Sequence, residues 1–336
     1  MSLSISLSPS RAAVYWAADR PFVSSGVHFP REQVANNERA RPELSDKASK
    51  RIRKAINWLT FLSSKRRIKR GAGKFIPNFQ ISFITLTLPS KQMHSHKEIK
   101  SKCLNHFLVI AREKWGVKNY VWKAEIQVNG NIHFHITTDQ YIPYMAIRRE
   151  WNNCISKLGY VSRYRNTFKN MSFQEYQEAR RLGGETDVKK VRKAYQFGKR
   201  SDWSNPNSTD VHSVKHVKKL AAYMAKYLTK PVAQEGATGL LADSASSLTG
   251  RLWYCSQSLS KLASVILEFN IINSSFVRAL RAFKSVRTYS TSWVELLFFK
   301  LDKIPHKARE FIRQALVSHA VKGNYPFPGS VLRAGM

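Results

Sequence analysis

Three features of the sequence predict an α+β fold, a ferredoxin-like (RRM-like) sandwich around a central antiparallel sheet. Strand-like and helix-like periods alternate in the order β-α-β-β-α between residues 81 and 159, with a further strand expected after them. The two middle strands flank Asn129-Gly130, the strongest short hairpin signal. The second of those strands carries two histidines, His133 and His135, which fall on one face of the sheet. A largely helical, basic C-terminal region is expected to follow the sandwich.

The elements follow in order. Residues 1–44 are polar, rich in Ser, Arg and Pro and weakly periodic, and read as a flexible basic arm. Residues 45–75 read as a basic amphipathic helix and linker. Ser45 is the candidate N-cap, and Ala48, Ile52, Ala55, Ile56, Leu59 and Leu62 form one apolar face. The segment ends in the run Lys65–Arg70 and in Gly71–Lys74, which lacks the offsets of a phosphate-cradling Walker loop. With no other such loop, no built-in helicase motor is expected.

Residues 76–260 form the predicted sandwich domain. Ile81–Leu88 is β-branched and apolar, stops at Pro89, and reads as a strand. Lys97–Trp115 reads as a helix, Tyr120–Gln127 and Ile132–Thr138 as strands, and Tyr144–Leu158 as a helix closed by Gly159. Ser172 and Glu175 make a capping box for a short helix. Trp203–Asp210 is turn chemistry, with Asp210 placed to cap a helix over Val211–Lys230. Residues 261–336 read as mixed and partly helical, with a helix over Pro305–Ala320.

Charge narrows the function. Lys plus Arg total 56 against 22 Asp plus Glu, a net charge of +34. A compact chain so charged repels itself unless a polyanion neutralises it, and nucleic acid does so with release of condensed counterions. Hydrophobic residues at 43% and aromatics at 12% suffice for a packed core, which argues against wholesale disorder. Cys103, Cys154 and Cys255 contain no CxxC pair, against a zinc finger or a disulfide scaffold. No run reaches the roughly 18–20 apolar residues of a membrane span, and the N-terminus has no long apolar region after a basic start. A soluble, cytoplasmic protein with no membrane partner is expected.

Two groups of residues carry candidate chemistry. His133 and His135 flank Phe134, so both imidazoles share a face while Phe134 points into the core. Side-by-side imidazoles are a divalent-metal clamp, or else hydrogen-bonded surface residues. Glu125 lies across the Asn-Gly hairpin, where a cross-strand carboxylate can reach both; its bland reading is a surface partner for Lys123. The second group lies on the expected helix. Tyr223 and Tyr227 are one turn apart and share a stripe with His212, His216, Lys219, Lys226 and Lys230, opposite Val214, Val217, Ala221, Met224 and Leu228. A phenol is a nucleophile for phosphoryl transfer when cations favour the phenolate, and otherwise a cover for the core edge.

Together the Thr-rich strand Phe83–Thr87, His133-Phe134-His135 and Tyr223-Met-Ala-Lys-Tyr227-Leu-Thr-Lys230 resemble the HUH endonucleases, the rolling-circle replication initiators. The two-tyrosine spacing is most like that of the initiators of microviruses, small single-stranded DNA phages. Trp203–His212 and Gly250–Trp253 also look like segments of those proteins, so the resemblance spans about residues 76–260.

This resemblance implies His133 and His135 as metal ligands and Glu125 as the third, with Mg²⁺ or Mn²⁺ as the ion. It implies Tyr223 and Tyr227 as nucleophiles and Lys226 and Lys230 as helpers at the phosphate. The implied reaction nicks a single-stranded DNA origin through a 5′-phosphotyrosine and later rejoins the ends. A host helicase and DNA polymerase are then the expected partners, in the cytoplasm of a bacterial host if the chain is phage-encoded, and the oligomeric state stays open. Trp58, Trp122, Trp151 and Trp203 are candidates for DNA contact, with core packing the preferred reading for Trp122 and Trp151. A plasmid relaxase or transposase of the same superfamily would use the same parts. A non-enzymatic nucleic-acid-binding protein on the same sheet would need no metal clamp.

Overall fold

The computed structural model describes residues 2–17, 45–63, 65–70, 74–79, 81–127, 129–213, 248–262, 264–268, 270–301 and 303–322. The chain divides into two compact units, residues 38–256 and residues 1–37 with 257–336.

In the larger unit, α1 (Asp46–Leu62) starts where expected, with the Ser45 side chain accepting from the Ala48 amide at 3.2 Å. Its apolar stripe is buried at Ile52, Ala55, Ile56 and Leu59, and Trp58 is buried with them. The basic run that follows is β3 (Lys65–Arg70), paired antiparallel with β4 (Lys74–Phe79), where the sequence reads as linker.

β5 (Ser82–Leu86) then opens the sandwich. A capping box between Ser95 and Glu98 starts α2 (His96–Glu98), which runs through a π-helical turn (Ile99–Leu104) into α3 (Asn105–Trp115). β6 (Tyr120–Ile126) and β7 (Ile132–Thr138) form the hairpin, with Gly130 at φ 79°, a backbone region that glycine enters without steric cost. α4 (Tyr144–Ser156) follows, and Gly159, at φ 78°, turns the chain into α5 (Tyr160–Phe168). α6 (Phe173–Leu182) carries the predicted Ser172–Glu175 box, and α7 (Val188–Arg200) is capped by Asp187.

β8 (Thr209–Ser213) and β9 (Trp253–Cys255) complete a five-stranded sheet in the order β8-β5-β7-β6-β9, antiparallel at every step. The first four strands with α3 and α4 make the βαββαβ arrangement expected. One sheet face carries Ile84, Leu86, Trp122, Ala124, Phe134 and Ile136 against Phe107, Leu108 and Ala111 of α3 and Ile147, Trp151 and Ile155 of α4. Fully burying each large apolar side chain contributes about 1.5–3 kcal/mol, against about 0–1 kcal/mol for an exposed ion pair. The sandwich is therefore held by this layer. Trp151 also donates from Nε1 to the Thr87 carbonyl at 2.8 Å.

One boundary corrects the sequence reading. The helix expected over Val211–Lys230 does not begin at Val211, because Thr209–Ser213 is the edge strand β8, with Asp210 opposite Thr85 and Val211 opposite Ile84. Asp210 is thus a strand residue and not a cap. The backbone groups of β5 are satisfied by this pairing, a tertiary demand that outweighs the local cap signal. The rest of that expected helix lies outside the described residues.

The second unit is a five-stranded antiparallel sheet in the order β10-β1-β2-β12-β11, with three helices among the described residues. Its strands are β1 (Ser2–Ser8), β2 (Arg11–Ala17), β10 (Val265–Glu268), β11 (Arg287–Ser290) and β12 (Val294–Phe298). Its helices are α8 (Gln257–Lys261), α9 (Ile271–Arg281) and α10 (His306–Lys322), the last close to the expected Pro305–Ala320. Ile5, Leu7, Ala12, Val14 and Leu297 are buried on one sheet face, as are Val277 and Leu280 of α9 and Ile312 and Leu316 of α10. Residues 2–17, read from sequence as part of an arm, are therefore central strands.

Candidate metal centre

The sheet face opposite the sandwich core carries the polar cluster. Strand register sets it up. Glu125 lies directly opposite His133, Lys123 opposite His135, and Thr85 opposite His135 on the other side. Directly paired residues share a face, so one row crosses four strands as Asp210, Thr85, His135 and Lys123.

Both imidazoles converge on one carboxylate oxygen. Nε2 of His133 and Nε2 of His135 each lie 3.2 Å from Oε2 of Glu125. The two rings are 4.6 Å apart, and Phe83 stacks on His135 at 5.5 Å and 11°. Nδ1 of His135 is 3.1 Å from the Thr85 hydroxyl, which fixes that ring. Nδ1 of His133 is buried without a hydrogen-bond partner among the described residues. Lys123, wholly buried, donates to Oε1 of Glu125 at 2.6 Å, so the two carboxylate oxygens have different partners.

The electrostatics follow from this packing. Burial by itself would raise the Glu125 carboxyl, but the hydrogen bonds to His133 and His135 and the Lys123 charge hold it well below the usual carboxylate range. Burial pushes the His133 imidazole down, opposed by Glu125. An ionised carboxylate beside a neutral imidazole is the protonation state in which both offer lone pairs to a cation.

The three residues fit a divalent ion. Their ligand atoms lie within 4.8 Å of one another. Donors about 3 Å apart match neighbouring corners around an ion with bonds of about 2.1 Å. Two imidazoles and one carboxylate on one side leave positions open for water and phosphate. With Nε2 turned to an ion, Nδ1–H of His135 donates to Thr85, the outer hydrogen bond that orients a ligating imidazole.

The sequence-predicted residues divide sharply. Glu125, His133 and His135 come together. Tyr223, Lys226, Tyr227 and Lys230 lie outside the described residues, as does His216. His212 is in β8 opposite Phe83, not on a helix with the tyrosines. Trp58 and Trp203, 0% and 2% exposed, are core residues and not DNA contacts; Trp122 and Trp151 are buried as preferred. Two contributors were missed, Lys123 and Thr85. Both could have been found by strand parity, since Lys123 is two residues from Glu125 and Thr85 is in the Thr-rich strand.

The fold and this cluster define an α+β protein with a two-histidine, one-carboxylate candidate metal centre on its sheet. Residues 81–232 match the model of the replication-associated protein ORF2 family. That stretch contains the cluster and all four of Tyr223, Lys226, Tyr227 and Lys230. No curated protein and no solved structure matches the chain. None of the described helices is long and apolar enough to cross a membrane.

Proposed function

We propose that this protein is a rolling-circle replication initiator that nicks single-stranded origin DNA through tyrosine attack. The observation that carries the reading is the convergence of His133 and His135 on Glu125 within the stretch similar to replication-associated proteins. Mg²⁺ or Mn²⁺ held there would polarise a non-bridging oxygen of the scissile phosphate.

The protein's own groups do the rest. The phenol oxygen of Tyr223 or Tyr227 attacks phosphorus after losing its proton, with Lys226 and Lys230 favouring the phenolate and the developing charge. The bond from phosphorus to the 3′ oxygen breaks, that oxygen takes a proton, and a 5′-phosphotyrosine and a free 3′-OH remain. The 3′-OH primes a polymerase. After one round the second tyrosine attacks the regenerated origin and the ends are rejoined without loss of a phosphodiester bond. Thr85 and Lys123 hold His135 and Glu125 in place for this chemistry. The two-tyrosine spacing favours an initiator of the microvirus type, working with a host helicase in the bacterial cytoplasm.

The test is cleavage of end-labelled single-stranded candidate origin DNA with Mn²⁺. A covalent protein–DNA adduct is expected that disappears with EDTA and in the Tyr223→Phe/Tyr227→Phe double variant. Tight binding with no metal-dependent adduct on any candidate origin would instead mark a nucleic-acid-binding protein.

A further inference from the structure

Between α4 and β8 the sandwich is interrupted by α5, α6 and α7, which enclose a small core of their own. Tyr176, Val191 and Trp203 are buried there, with Tyr164, Phe168, Phe173, Ala194 and Tyr195 packed against them. Gly198 of α7 lies so close to Trp203 that a Cβ would meet the indole at 2.3 Å, so the helix is seated directly on the ring.

The other face of α7 is unlike an ordinary solvated surface. Its thirteen residues include six cations, Lys189, Lys190, Arg192, Lys193, Lys199 and Arg200, and no acid. At about 100° per residue, Lys189, Lys193, Gln196 and Arg200 line up at i, i+4, i+7 and i+11, pointing away from buried Val191 and Gly198. All four are exposed. Arg192 sits over the Phe173 ring at 4.7 Å, Lys199 over Tyr195 at 5.7 Å, and Lys190 pairs with Glu185. Among the described residues no ion pair engages Lys189, Lys193 or Arg200. The outermost stripe is thus three unpaired cations with one amide between them.

We propose that α7 is a recognition helix that docks in the major groove of duplex DNA. The stripe spans about 16 Å at 1.5 Å per residue, and a groove about 12 Å wide admits one α-helix. Cations at both ends reach phosphates, and Gln196 between them has the paired donor and acceptor that read an adenine edge. Single-strand binders present aromatic platforms to bases. Here the aromatics are turned into the core, and only Phe197 on this helix is an exposed large apolar residue besides Val188. This surface is separate from the metal triad, and duplex docking does not depend on strand cleavage.

The test uses the full chain with the surface triple variant Lys189→Gln/Lys193→Gln/Arg200→Gln. Affinity for a mixed-sequence duplex and for its separated strand is measured by fluorescence anisotropy across a salt series. The duplex slope of log affinity against log salt should fall by about 2.7, since each neutralised phosphate contributes about 0.9, while the single-strand slope stays put. Gln196→Ala should lose an A·T preference in selection from a randomised duplex pool with its salt slope unchanged. An unchanged duplex slope, equal falls on both probes, or a Gln196→Ala chain that keeps the wild-type selection would overturn the proposal. Thermal unfolding and metal-dependent nicking of single strands by the triple variant report folding and the cleavage reading separately.

Discussion

Lys123 and Glu125 form an ion pair of 2.6 Å in which the lysine is wholly buried and the carboxylate is 21% exposed. The ammonium occupies Oε1 and leaves Oε2 to the two imidazoles. The carboxylate is thereby presented to a cation through one oxygen.

Removing that lysine should uncover a charge. Breaking a buried pair costs about 3–5 kcal/mol, and the partial exposure and remaining histidine partners of Glu125 reduce this. Lys123→Met is expected to lose about 2 kcal/mol of stability without metal, and saturating Mn²⁺ should recover part of the loss because the ion supplies a positive charge beside Glu125. Thermal unfolding with and without Mn²⁺ measures both. Equal stability of the two chains would mean that Lys123 does not hold the carboxylate.

Metal binding should itself stabilise the larger unit. An ion at a hundred times its dissociation constant adds about 2.7 kcal/mol. That Mn²⁺-dependent rise in Tm should vanish in His133→Ala and His135→Ala and on adding EDTA. A rise that survives both substitutions would place the ion elsewhere.

The pH response has a definite sign. His133 is held below the ordinary imidazole value of 6.5, first by burial, and His96 likewise by burial and by Lys100. The unfolded chain therefore binds protons first, and stability should fall as pH drops below 6.5. Glu125, held below the ordinary 4.5, adds a second loss that begins beneath that value. Chemical denaturation of the metal-free protein at a series of pH values should show this decline, less marked in Glu125→Gln below 4.5. A flat profile from 7 to 4 would contradict it.

Gly198→Ala should be costly. The added Cβ would lie 2.3–2.5 Å from three Trp203 ring atoms, and Trp203 is 2% exposed with φ 57°. Overpacking of this kind costs about 1–3 kcal/mol. Hydrogen exchange is expected to rise in α5, α6 and α7 while β5, β6 and β7 keep their protection. Wild-type exchange in α7 would mean that the ring gives way freely.

The cysteines should be inert in the folded state. Burial pushes the Cys103 thiol up to about 11 and the Cys154 thiol up to about 12, and Cys255 is raised by the same cause. Thiolate, the reactive form, is then scarce at neutral pH. Iodoacetamide is expected to leave the native chain unlabelled and to modify all three thiols after unfolding. Fast labelling of the native protein would show that the α3–α4 layer opens readily.

What lay open in the sequence was local. Ser45, and Ser172 with Glu175, cap helices through bonds three residues long, and period-two alternation put His133 and His135 on one face. The hairpin then brought Glu125 opposite His133, because Asn129-Gly130 sets the register. The tertiary structure decided the rest. Residues 2–17 are strands because β10 and β12, some 250 residues away in sequence, supply their partners. Thr209–Ser213 is a strand because β5 lies beside it, whatever cap Asp210 suggests. Trp58 and Trp203 are core and Lys123 is a buried ammonium because of neighbours many residues distant. Caps, turns and side-chain parity arise from sterics and hydrogen bonds within a few residues, whereas edge pairing and burial are properties of contacts that exist only once the chain has folded.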